Sequence, residues 1–248
     1  MSRFQQFTPE ELSALRQGGR ILRDCITMLK GEVRPGVSTG ELDRLAEAFI
    51  RSHGAEPAFQ GYHGYPATFC LSVNDQCVHA IPGDRVLEEG DIISLDGGVR
   101  FKGLITDACD TVGVGQIDPE AARLIASGEK ALKAAIKLAR SGLRIGDLSS
   151  VIQQSVEGDG FTIVRALTGH GLGTSIHQFP DVPNFGKPGS GPVIPDGAVI
   201  AIEPIVSAGG SAIREDGDGW TISTVDGSLS THSEHTVLIT ENGCEILA

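Results

Sequence analysis

The sequence predicts an α+β protein in which two similar halves, each a helix pair followed by strands, share a central antiparallel sheet covered by helices. Three observations lead to this prediction: capped helix patterns occur in two pairs, strand-like segments follow each pair, and the second pair repeats the first. Residues 142–148 can be laid over residues 36–42 at an offset of 142 − 36 = 106. Because a fixed offset indicates duplication, we expect one domain over 1–248, with pseudo-symmetric halves at approximately 1–113 and 114–248.

Capping residues mark the helix starts of the first half. Thr8 is predicted to cap the first helix, with Pro9 at the first helical position and Glu11 closing a capping box. Ser38 and Glu41 repeat this pattern at the second helix. Apolar residues at helical spacing predict the buried faces. These are Leu12, Leu15, Leu22, Ile26 and Leu29 in the first helix and Leu42, Leu45, Ala46, Phe49 and Ile50 in the second.

The second half begins in the same way. Asp118 and Pro119 start a helix that is predicted to run to Arg140, and Gly142 stops it. Apolar and β-branched runs between turn signals predict the strands. They are residues 68–73, 77–80, 92–96, 103–107, 199–202, 220–225 and 234–240. The first two segments are expected to form a hairpin, as are the next two and the last two.

Composition and charge limit the classes of function. A net charge of −12 at pH 7 argues against nucleic acid or an anionic membrane as the main partner. The five cysteines form no CxxC pair, which is typical of reduced thiols and excludes a zinc knuckle or a disulfide framework. Charged residues run through the first thirty positions, and no apolar run approaches the roughly 20 residues of a membrane span. We therefore expect a cytoplasmic protein.

Residues 168–180 combine two histidines with three glycines. The glycines make a helix costly, and in an unbroken strand the odd separation of His170 and His177 would send them to opposite faces. We predict a strand bent or bulged at the glycines, which would aim both imidazoles into one pocket. Such a pair is typical of a metal or acid–base site, although two hydrogen-bonded loop histidines would also explain it.

Four carboxylates accompany strand-like runs. Asp96 and Asp107 are predicted to face each other across a hairpin, with Cβ atoms roughly 4.5–5.5 Å apart, unless both are solvated beside the turn. Glu203 ends an apolar run, where burying a carboxylate without a partner is costly, and Glu234 stands in another such run. Together with His170 they would form a bridged two-metal site, whose oxygen-rich ligation suits Mn, Fe, Co or Zn.

Short sequence words surround these residues. They are P-G-V-S-T-G-E-L-D at 35–43, G-Y-H-G-Y-P at 61–66, G-H-G-L-G at 169–173, I-E-P at 202–204 and E-H-T at 234–236. Over essentially the whole chain, these words and the order of the polar residues between them closely resemble the type I methionine aminopeptidases. The resemblance implies the duplicated pita-bread fold. It also implies a metal-dependent hydrolase that removes the initiator methionine from nascent polypeptides with a small second residue.

The resemblance also implies the metal ligands and the catalytic residues. The family's ligands to two divalent ions would fall on Asp96, Asp107, His170, Glu203 and Glu234, with Asp107 and Glu234 bridging. The ions would be Co, Mn, Fe or Zn, and they would activate a water molecule. Three residues would assist in catalysis: Glu203 as the base, His177 as the donor to the oxyanion, and His79 as the residue that holds the substrate's second peptide nitrogen.

A pocket for the methionine side chain is implied next to these groups. It would draw on Tyr62, Tyr65, Cys70 and Trp220, with His79 and His177 also facing the substrate. Plain packing is the alternative for the tyrosines and the tryptophan. The expected partner is the N-terminal methionine of a nascent chain, met at the ribosome by a monomeric enzyme.

Some positions depart from the usual family pattern. Gly98 stands where relatives often have a hydroxyl residue, and Phe59 and Ile176 differ from the usual pocket residues. The fit for methionine could therefore be altered. Three further histidines are assigned no role and are expected to be structural or solvated: His53, His232 and His235.

Two rival functions remain open at this point. A proline-specific peptidase of the same fold would usually carry a long extra N-terminal domain. A non-catalytic binding module would be expected to lack metal ligands. The short bacterial-like form is expected, because only 234 − 203 = 31 residues separate Glu203 from Glu234 and no zinc-binding or polylysine segment precedes the first helix.

Overall fold

A curved set of antiparallel strands and four α-helices make up the part of the chain, residues 3–248, that the computed structural model describes; the first two residues of the expected domain lie outside that range. The helices are α1 (Pro9–Glu32), α2 (Thr39–Ser52), α3 (Pro119–Leu138) and α4 (Ile145–Gly158), with a short 3-10 helix at Tyr62–Gly64. The strands of the first half are β1 (Glu56–Pro57), β2 (Phe69–Val73), β3 (Gln76–Val78), β4 (Ile92–Phe101) and β5 (Leu104–Gly113).

The strands of the second half are more numerous and shorter. They are β6 (Thr162–Ile163), β7 (Thr168–Gly171), β8 (Gln178–Pro183), β9 (Val199–Ile202), β10 (Ile205–Ser207), β11 (Ile213–Glu215), β12 (Ile222–Thr224), β13 (Ser230–His232), β14 (Glu234–Thr240) and β15 (Gly243–Ile246). The predicted α+β class, with helix pairs that alternate with strands, is therefore confirmed.

One nine-stranded sheet joins the two halves. Its order is β1-β4-β5-β14-β9-β7-β8, with β2 also paired to β4 and β15 to β14. The pairing of β5 with β14 connects the first half of the chain to the second. Two three-stranded sheets, β13-β10-β6 and β11-β12-β3, lie beside it. The shared sheet that the sequence predicts is present.

The two faces of the sheet have different chemistry, and β4 illustrates it. Ile93, Leu95 and Val99 belong to the apolar cluster that contains the buried faces of α1 and α2. Because successive side chains of a strand point to opposite faces, Asp96 must point away from these helices. The second helix pair buries its apolar residues in a separate cluster that includes residues of β9 and β14. Both helix pairs thus support a sheet whose other face is free to carry polar groups.

The predicted capping interactions are all present in the first half. The Thr8 hydroxyl accepts a hydrogen bond from the Glu11 amide at 3.2 Å, and the Glu11 carboxylate accepts one from the Thr8 amide at 2.7 Å. Ser38 and Glu41 make the same reciprocal pair. One predicted core residue is wrong, since Leu45 is 41% exposed. The buried stripe of α2 follows i, i+4 spacing, and Leu45 lies outside it.

Backbone hydrogen bonds recur between the halves at the same offset as the sequence words. The Leu87 amide donates to the Val37 carbonyl at 2.8 Å, and the Ile194 amide donates to the Leu143 carbonyl, also at 2.8 Å. The offsets are 143 − 37 = 106 and 194 − 87 = 107. Each bond ties the segment before the second helix of a pair to the segment before a central strand.

Two predicted hairpins are wrong in their pairing. β2 pairs with β4, and β3 pairs with β12, so the segments on either side of the Asn74 turn do not form a ladder with each other. Likewise β12 pairs with β3 and β11, whereas β14 pairs with β5, β9 and β15. In neither case is the neighbour across the predicted turn a ladder partner.

Asp110 on β5 fastens α1 to the sheet. The Arg23 guanidinium donates to both of its carboxylate oxygens at 3.1 and 2.9 Å, and the Lys30 ammonium donates at 2.9 Å. Burial opposes ionisation of Asp110, but the bonds and charges of Arg23 and Lys30 outweigh it and lower the pKa to about 2. A carboxylate whose pKa is lower in the folded state stabilises the fold above its unfolded pKa.

We expect Asp110→Asn to lower the free energy of unfolding by about 2 kcal/mol at neutral pH, because about two pKa units are lost. The deficit relative to the native chain should shrink as the pH falls through about 4 towards about 2, since Asp110 then becomes protonated in the native chain. Urea unfolding of both proteins at pH 7 and pH 3 measures this. Lys133→Gln, which breaks an exposed pair with Glu129, is the control and should cost below about 0.5 kcal/mol. An Asp110→Asn deficit that does not change with pH would contradict the assignment.

Candidate metal centre

A row of residues crosses four strands of the central sheet. Asp96 on β4 lies opposite Cys109 on β5, and Cys109 lies opposite Glu234 on β14. Glu203 directly follows β9, whose last residue pairs with the residue after Glu234. Residues that oppose each other across antiparallel strands share a face, so the three carboxylates project to the same side of the sheet.

The position of Asp107 differs from the prediction. Asp107 lies opposite Gly98, two residues from the expected pairing with Asp96. The reason is the turn: Lys102 and Gly103 both adopt positive φ, of 50° and 81°, as in the two-residue turns that match the twist of a hairpin. That turn is centred one residue later than the expected pairing requires, and it fixes the register. Asp96 and Asp107 remain on one face as diagonal neighbours.

Thr236 on β14 holds Asp107 in place through its backbone. The Thr236 hydroxyl accepts from the Asp107 amide at 2.9 Å and donates to the Asp107 carbonyl at 2.7 Å. Both backbone groups of Asp107 are therefore satisfied at the junction of the two halves. The side-chain carboxylate stays free to face the crevice, and its Oδ1 atom is buried without a hydrogen-bond partner.

The predicted irregularity around His170 is confirmed. The register between β7 and β8 shifts between His170 and Gly171, and two extra residues of β8 are accommodated there. A side chain at Gly171 would collide with the carbonyl oxygen of Phe179, since its Cβ would lie 2.2 Å away. The backbone at Gly171 therefore lies close to the backbone at Phe179. The imidazoles of His170 and His177 contact each other edge to face, with ring centroids 4.4 Å apart.

Five of the predicted ligand residues and one further histidine come together in this crevice. Within residues 3–248, two groups have ligand atoms that all lie within 4.8 Å of one another: Asp107, His170 and Glu234 form one, and Asp96, His232 and Glu234 form the other. Glu234 belongs to both. Glu203 adjoins the first group, because its Oε1 lies 3.4 Å from the His170 Nε2.

The carboxylates repel one another in this enclosed space. Burial raises the pKa of Asp96 to about 7. Burial, and then the charge of Asp96, raise the pKa of Asp107, and the pKa of Glu234 rises from burial and from the charges of Asp107, Glu203 and Asp96. The pKa of Glu203 is raised in the same way by burial and by Asp107 and Asp96. A cation among them would remove this repulsion and favour the charged forms.

The donor set fits divalent metal ions. Asp107 Oδ1 and Glu234 Oε1 are buried without hydrogen-bond partners among the described residues, which is expensive unless an ion or water satisfies them. His170 presents its Nε2, because its Nδ1 lies 3.0 Å from the Gly171 carbonyl oxygen and serves that bond. Burial, followed by the charge of His177, lowers the pKa of His170 to about 3, so the ring is neutral and able to bind a metal.

His79 and His177 line the same cavity. His79 takes a positive φ of 60°, and burial, with a smaller contribution from His177, lowers its pKa to about 4. The pKa of His177 is lowered by burial and by His63. The Tyr62 hydroxyl lies 3.1 Å from the His177 Nδ1. Both imidazoles are therefore neutral at pH 7 and positioned around one space.

A cavity of about 160 Å³ adjoins the carboxylates. An engineered cavity of about 150 Å³ accepts a benzene-sized molecule, so this one can take a single apolar side chain. All four predicted pocket residues line it: Tyr62, Tyr65, Cys70 and Trp220. The Tyr65 hydroxyl is used in packing, since it donates to the Phe69 and Ala80 carbonyl oxygens at 2.9 and 3.0 Å.

Sequence reasoning missed several residues at the cavity. Val78, Leu167 and Ile205 line it, but apolar residues in strands and loops look the same in sequence whether they line a cavity or fill a core. His232 was expected to be structural or solvated. It is not solvated, because it is buried among the carboxylates. A signal was available, since His232 stands two positions before Glu234 and period-two spacing would put both on one face.

Comparison with known proteins identifies the family. A model of metallopeptidase family M24 matches residues 13–241. The methionine aminopeptidase of Clostridium perfringens is 48% identical over 237 residues, which are 96% of this chain and 95% of that protein. The Escherichia coli enzyme of the same name is 38% identical over 242 residues, covering 97% and 92%. The chain belongs to metallopeptidase family M24.

Solved structures agree with this assignment to M24. The crystal structure of methionine aminopeptidase from Thermotoga maritima matches with a TM-score of 0.97 at 40% identity, over 100% of this chain and 99% of that one. Prolidase from Pyrococcus furiosus, at 23% identity and a TM-score of 0.80, shares the fold over 98% of this chain and 64% of that one. The predicted pita-bread fold and the resemblance to methionine aminopeptidases are confirmed.

Two further findings concern the metal use and the helices of this M24 protein. Membership of a metallopeptidase family, together with the carboxylate and histidine cluster, means that the chain uses divalent metal. Across residues 3–248, none of the helices combines the length and the apolar character that crossing a membrane requires.

Metal ions should stabilise the chelator-treated protein. At an ion concentration 100-fold above the dissociation constant we expect a gain of about 2.7 kcal/mol, or a rise in Tm of roughly 5–10 °C for a chain of this size. Asp107→Asn should reduce this gain, because Asp107 contributes to one of the two ligand groups. Thermal unfolding with and without Mn²⁺ or Co²⁺ measures both. The exposed Asp84→Asn is the control and should respond as the native chain does. Equal gains in Asp107→Asn and the native chain would exclude Asp107 as a ligand.

Gly98 and Phe59, two of the departures from the family pattern, fit each other. A Cβ on Gly98 would lie 2.8 Å from Cε1 of Phe59 and 3.0 Å from the Cβ of Ala58. The aromatic ring therefore takes the space above Gly98 that a larger residue would need. Phe59 also lines the cavity, so this pair sets the size of one cavity wall.

We predict that Gly98→Ala lowers the free energy of unfolding by about 1–3 kcal/mol, through overpacking against Phe59. Combining it with Phe59→Leu should cost less than the sum of the two single changes, because the smaller side chain makes room. A double-mutant cycle by urea unfolding measures the coupling. Gly31→Ala near the end of α1 has open space around the new Cβ and should cause no loss. Additive energies would show that the two positions do not interact.

Proposed function

We propose that this chain removes the N-terminal methionine from nascent polypeptides and peptides whose second residue is small. The observation that carries the proposal is the convergence of carboxylates from both halves beside two histidines and one enclosed apolar cavity. The names of its relatives support the same activity, since the proteins from Clostridium perfringens and Bacillus subtilis are both called methionine aminopeptidase.

Two divalent ions, Co, Mn, Fe or Zn, are proposed to be held in this crevice. Their ligands would be Asp96, Asp107, His170, Glu203 and Glu234. The membership of Glu234 in both ligand groups supports its bridging role, and Asp107 would be the second bridge. When bound, divalent ions at such a site acidify water and polarise a carbonyl group.

Glu203 is proposed to act as the general base and then the general acid. Glu203 lines the cavity, and its backbone is held in place because the Asn184 side-chain amide donates to the Glu203 backbone carbonyl oxygen at 2.9 Å. A carboxylate placed there can take a proton from water and return it to the amine that leaves. Glutamine at this position could do neither.

His177 and His79 would bind the reacting part of the substrate. If the Tyr62 hydroxyl donates to the His177 Nδ1, the proton of that ring sits on Nε2, where it can be donated to a developing oxyanion. His79 lines the same cavity and would accept a hydrogen bond from the peptide N–H of the second residue. Neutral imidazoles suit both tasks because each carries one N–H donor and one acceptor nitrogen.

The cavity lined by Tyr62, Tyr65, Cys70 and Trp220 is proposed to hold the methionine side chain. Its apolar walls and small size suit an unbranched thioether. The free amino group would lie at the acidic end near Asp96, which explains a requirement for a chain terminus.

The remaining expectations belong to the same proposal. One catalytic domain over 1–248 would consist of halves at approximately 1–113 and 114–248, and the recurring hydrogen bonds at an offset of 106–107 support this. The chain would act as a monomer in the cytoplasm, where it would meet new polypeptides at the ribosome.

The test is the release of free methionine from Met-Ala-Ser by metal-loaded protein, run beside Xaa-Pro peptides. We expect cleavage of Met-Ala-Ser only. Glu203→Gln should lower kcat by a factor of about 10² or more, because it removes the group that carries the proton, while the fold remains intact by circular dichroism. His53→Gln, an exposed change directly after α2, serves as the control and should retain activity. A preference for Xaa-Pro peptides would overturn the proposal in favour of a proline-specific peptidase.

A further inference from the structure

His232 occupies a position in the crevice that the proposed ligand set does not use. It is the last residue of β13 and is 3% exposed. Its Nε2 lies 3.6 Å from Oε2 of Glu203 and 3.6 Å from Oε2 of Glu234. Neither ring nitrogen has a hydrogen-bond partner among the residues that the structure describes. A buried imidazole with two unpaired nitrogens is costly, and this cost needs an explanation.

The backbone of His232 is held as firmly as that of Asp107. The Thr111 hydroxyl donates to the His232 carbonyl at 2.7 Å and accepts from the His232 amide at 3.0 Å. The Ser94 hydroxyl lies 2.7 Å from the Thr111 hydroxyl, and the Cys109 thiol donates to the same His232 carbonyl at 3.4 Å. These bonds fix where the imidazole points but leave its nitrogens free. A histidine that served packing alone would use its ring nitrogens for such bonds.

The separations match those of atoms that share one metal ion. A distance of 3.6 Å is too long for a hydrogen bond. Two ligand atoms bound to one ion at about 2.0–2.2 Å with tetrahedral angles lie roughly 3.3–3.6 Å apart. The ligand atoms of Asp96, His232 and Glu234 also lie within 4.8 Å of one another as a complete group of three.

We propose that His232 is a sixth metal-binding side chain, which ligates through Nε2 the ion that Asp96 and Glu234 hold. This inference rests on the proposed two-metal function and extends it. Each of the two ligand groups then contains one imidazole, His170 in one and His232 in the other.

The added imidazole has a chemical consequence for metal preference. Without His232, the ion at Asp96 would have only carboxylate oxygens from the protein, a set that suits Mg²⁺ or Mn²⁺. An imidazole nitrogen shifts the preference towards Zn²⁺, Co²⁺ and Fe²⁺. The chain would therefore bind these ions at both metal positions. The two positions would differ less in affinity than they would if His170 were the one histidine ligand.

Proton NMR of the Co²⁺-loaded protein tests the assignment without an activity measurement. An imidazole that binds paramagnetic Co²⁺ gives a strongly shifted N–H resonance, which disappears in D₂O if it exchanges with solvent. We expect two such resonances in the native chain, one lost in His232→Gln and the other lost in His170→Gln. Isothermal titration with Co²⁺ should show at least a tenfold weaker affinity at one of the two positions in His232→Gln.

His235→Gln is the matched control. It lies three residues further along, and its Nδ1 lies 2.7 Å from the Ala248 carbonyl oxygen, outside the crevice. Both shifted resonances should remain. Circular dichroism and thermal unfolding of the metal-free variants establish that each is folded, and His232→Asn provides a smaller polar replacement should the glutamine variant be unstable.

The outcomes separate this inference from the function on which it rests. A single shifted resonance in the native chain, lost only in His170→Gln, would overturn the role of His232 and leave the two-metal peptidase in place. Two resonances that both survive in His232→Gln would overturn it as well. A native chain that binds no Co²⁺ would overturn the metal centre as a whole.

Discussion

The repulsion among four buried carboxylates is the constraint on which the rest of this structure depends. Asp96, Asp107, Glu203 and Glu234 share a small, poorly solvated space. Burial raises the pKa of each, and the charges of neighbouring carboxylates raise the pKa of Asp107, Glu203 and Glu234 further. Such a cluster is tolerable in a folded protein only if cations compensate it or protons neutralise it. The scaffold therefore has to hold these groups together against a force that separates them.

Hydrogen bonds from side chains to the backbone hold these groups in place. Thr236 binds both backbone groups of Asp107, Thr111 binds both of His232, and Asn184 binds the carbonyl of Glu203. In each case a hydroxyl or amide side chain fixes the main chain and makes no bond to the functional side chain. Side-chain atoms that would otherwise be satisfied within the protein, such as Asp107 Oδ1, stay available for an ion. Rigidity and free ligand atoms are thus obtained together.

The apolar cavity follows from the same sheet. Gly98 faces Asp107 across the hairpin, and the absence of a side chain there lets Phe59 close one wall of the space beside the carboxylates. Ile176 contributes to the same apolar cluster. The departures from the usual family residues are therefore compatible with one another. Prolidase has the same fold at 23% identity, so the fold alone does not determine which side chain such a cavity accepts.

Much of this protein could be read from its sequence, because the decisive signals are local. The capping boxes at Thr8 and Ser38 and the bend at His170 each depend on residues a few positions apart, and the two-helix repeat is visible when two short segments are compared. The short motifs shared with the methionine aminopeptidases predicted that the five ligand residues lie in one crevice. Local chemistry of this kind acts in the same way in any context, and a sequence displays it directly.

Only the tertiary structure decided the features that depend on which distant strands pair. The Lys102–Gly103 turn moved Asp107 opposite Gly98, and the strands beside the Asn74 turn paired elsewhere. His232 came to face the carboxylates because β13 packs against β10 and is held by Thr111, more than a hundred residues earlier. Strand partners are chosen by the total burial and hydrogen bonding of the folded sheet. This total depends on residues that are far apart in the chain, so a short stretch of sequence does not predict it.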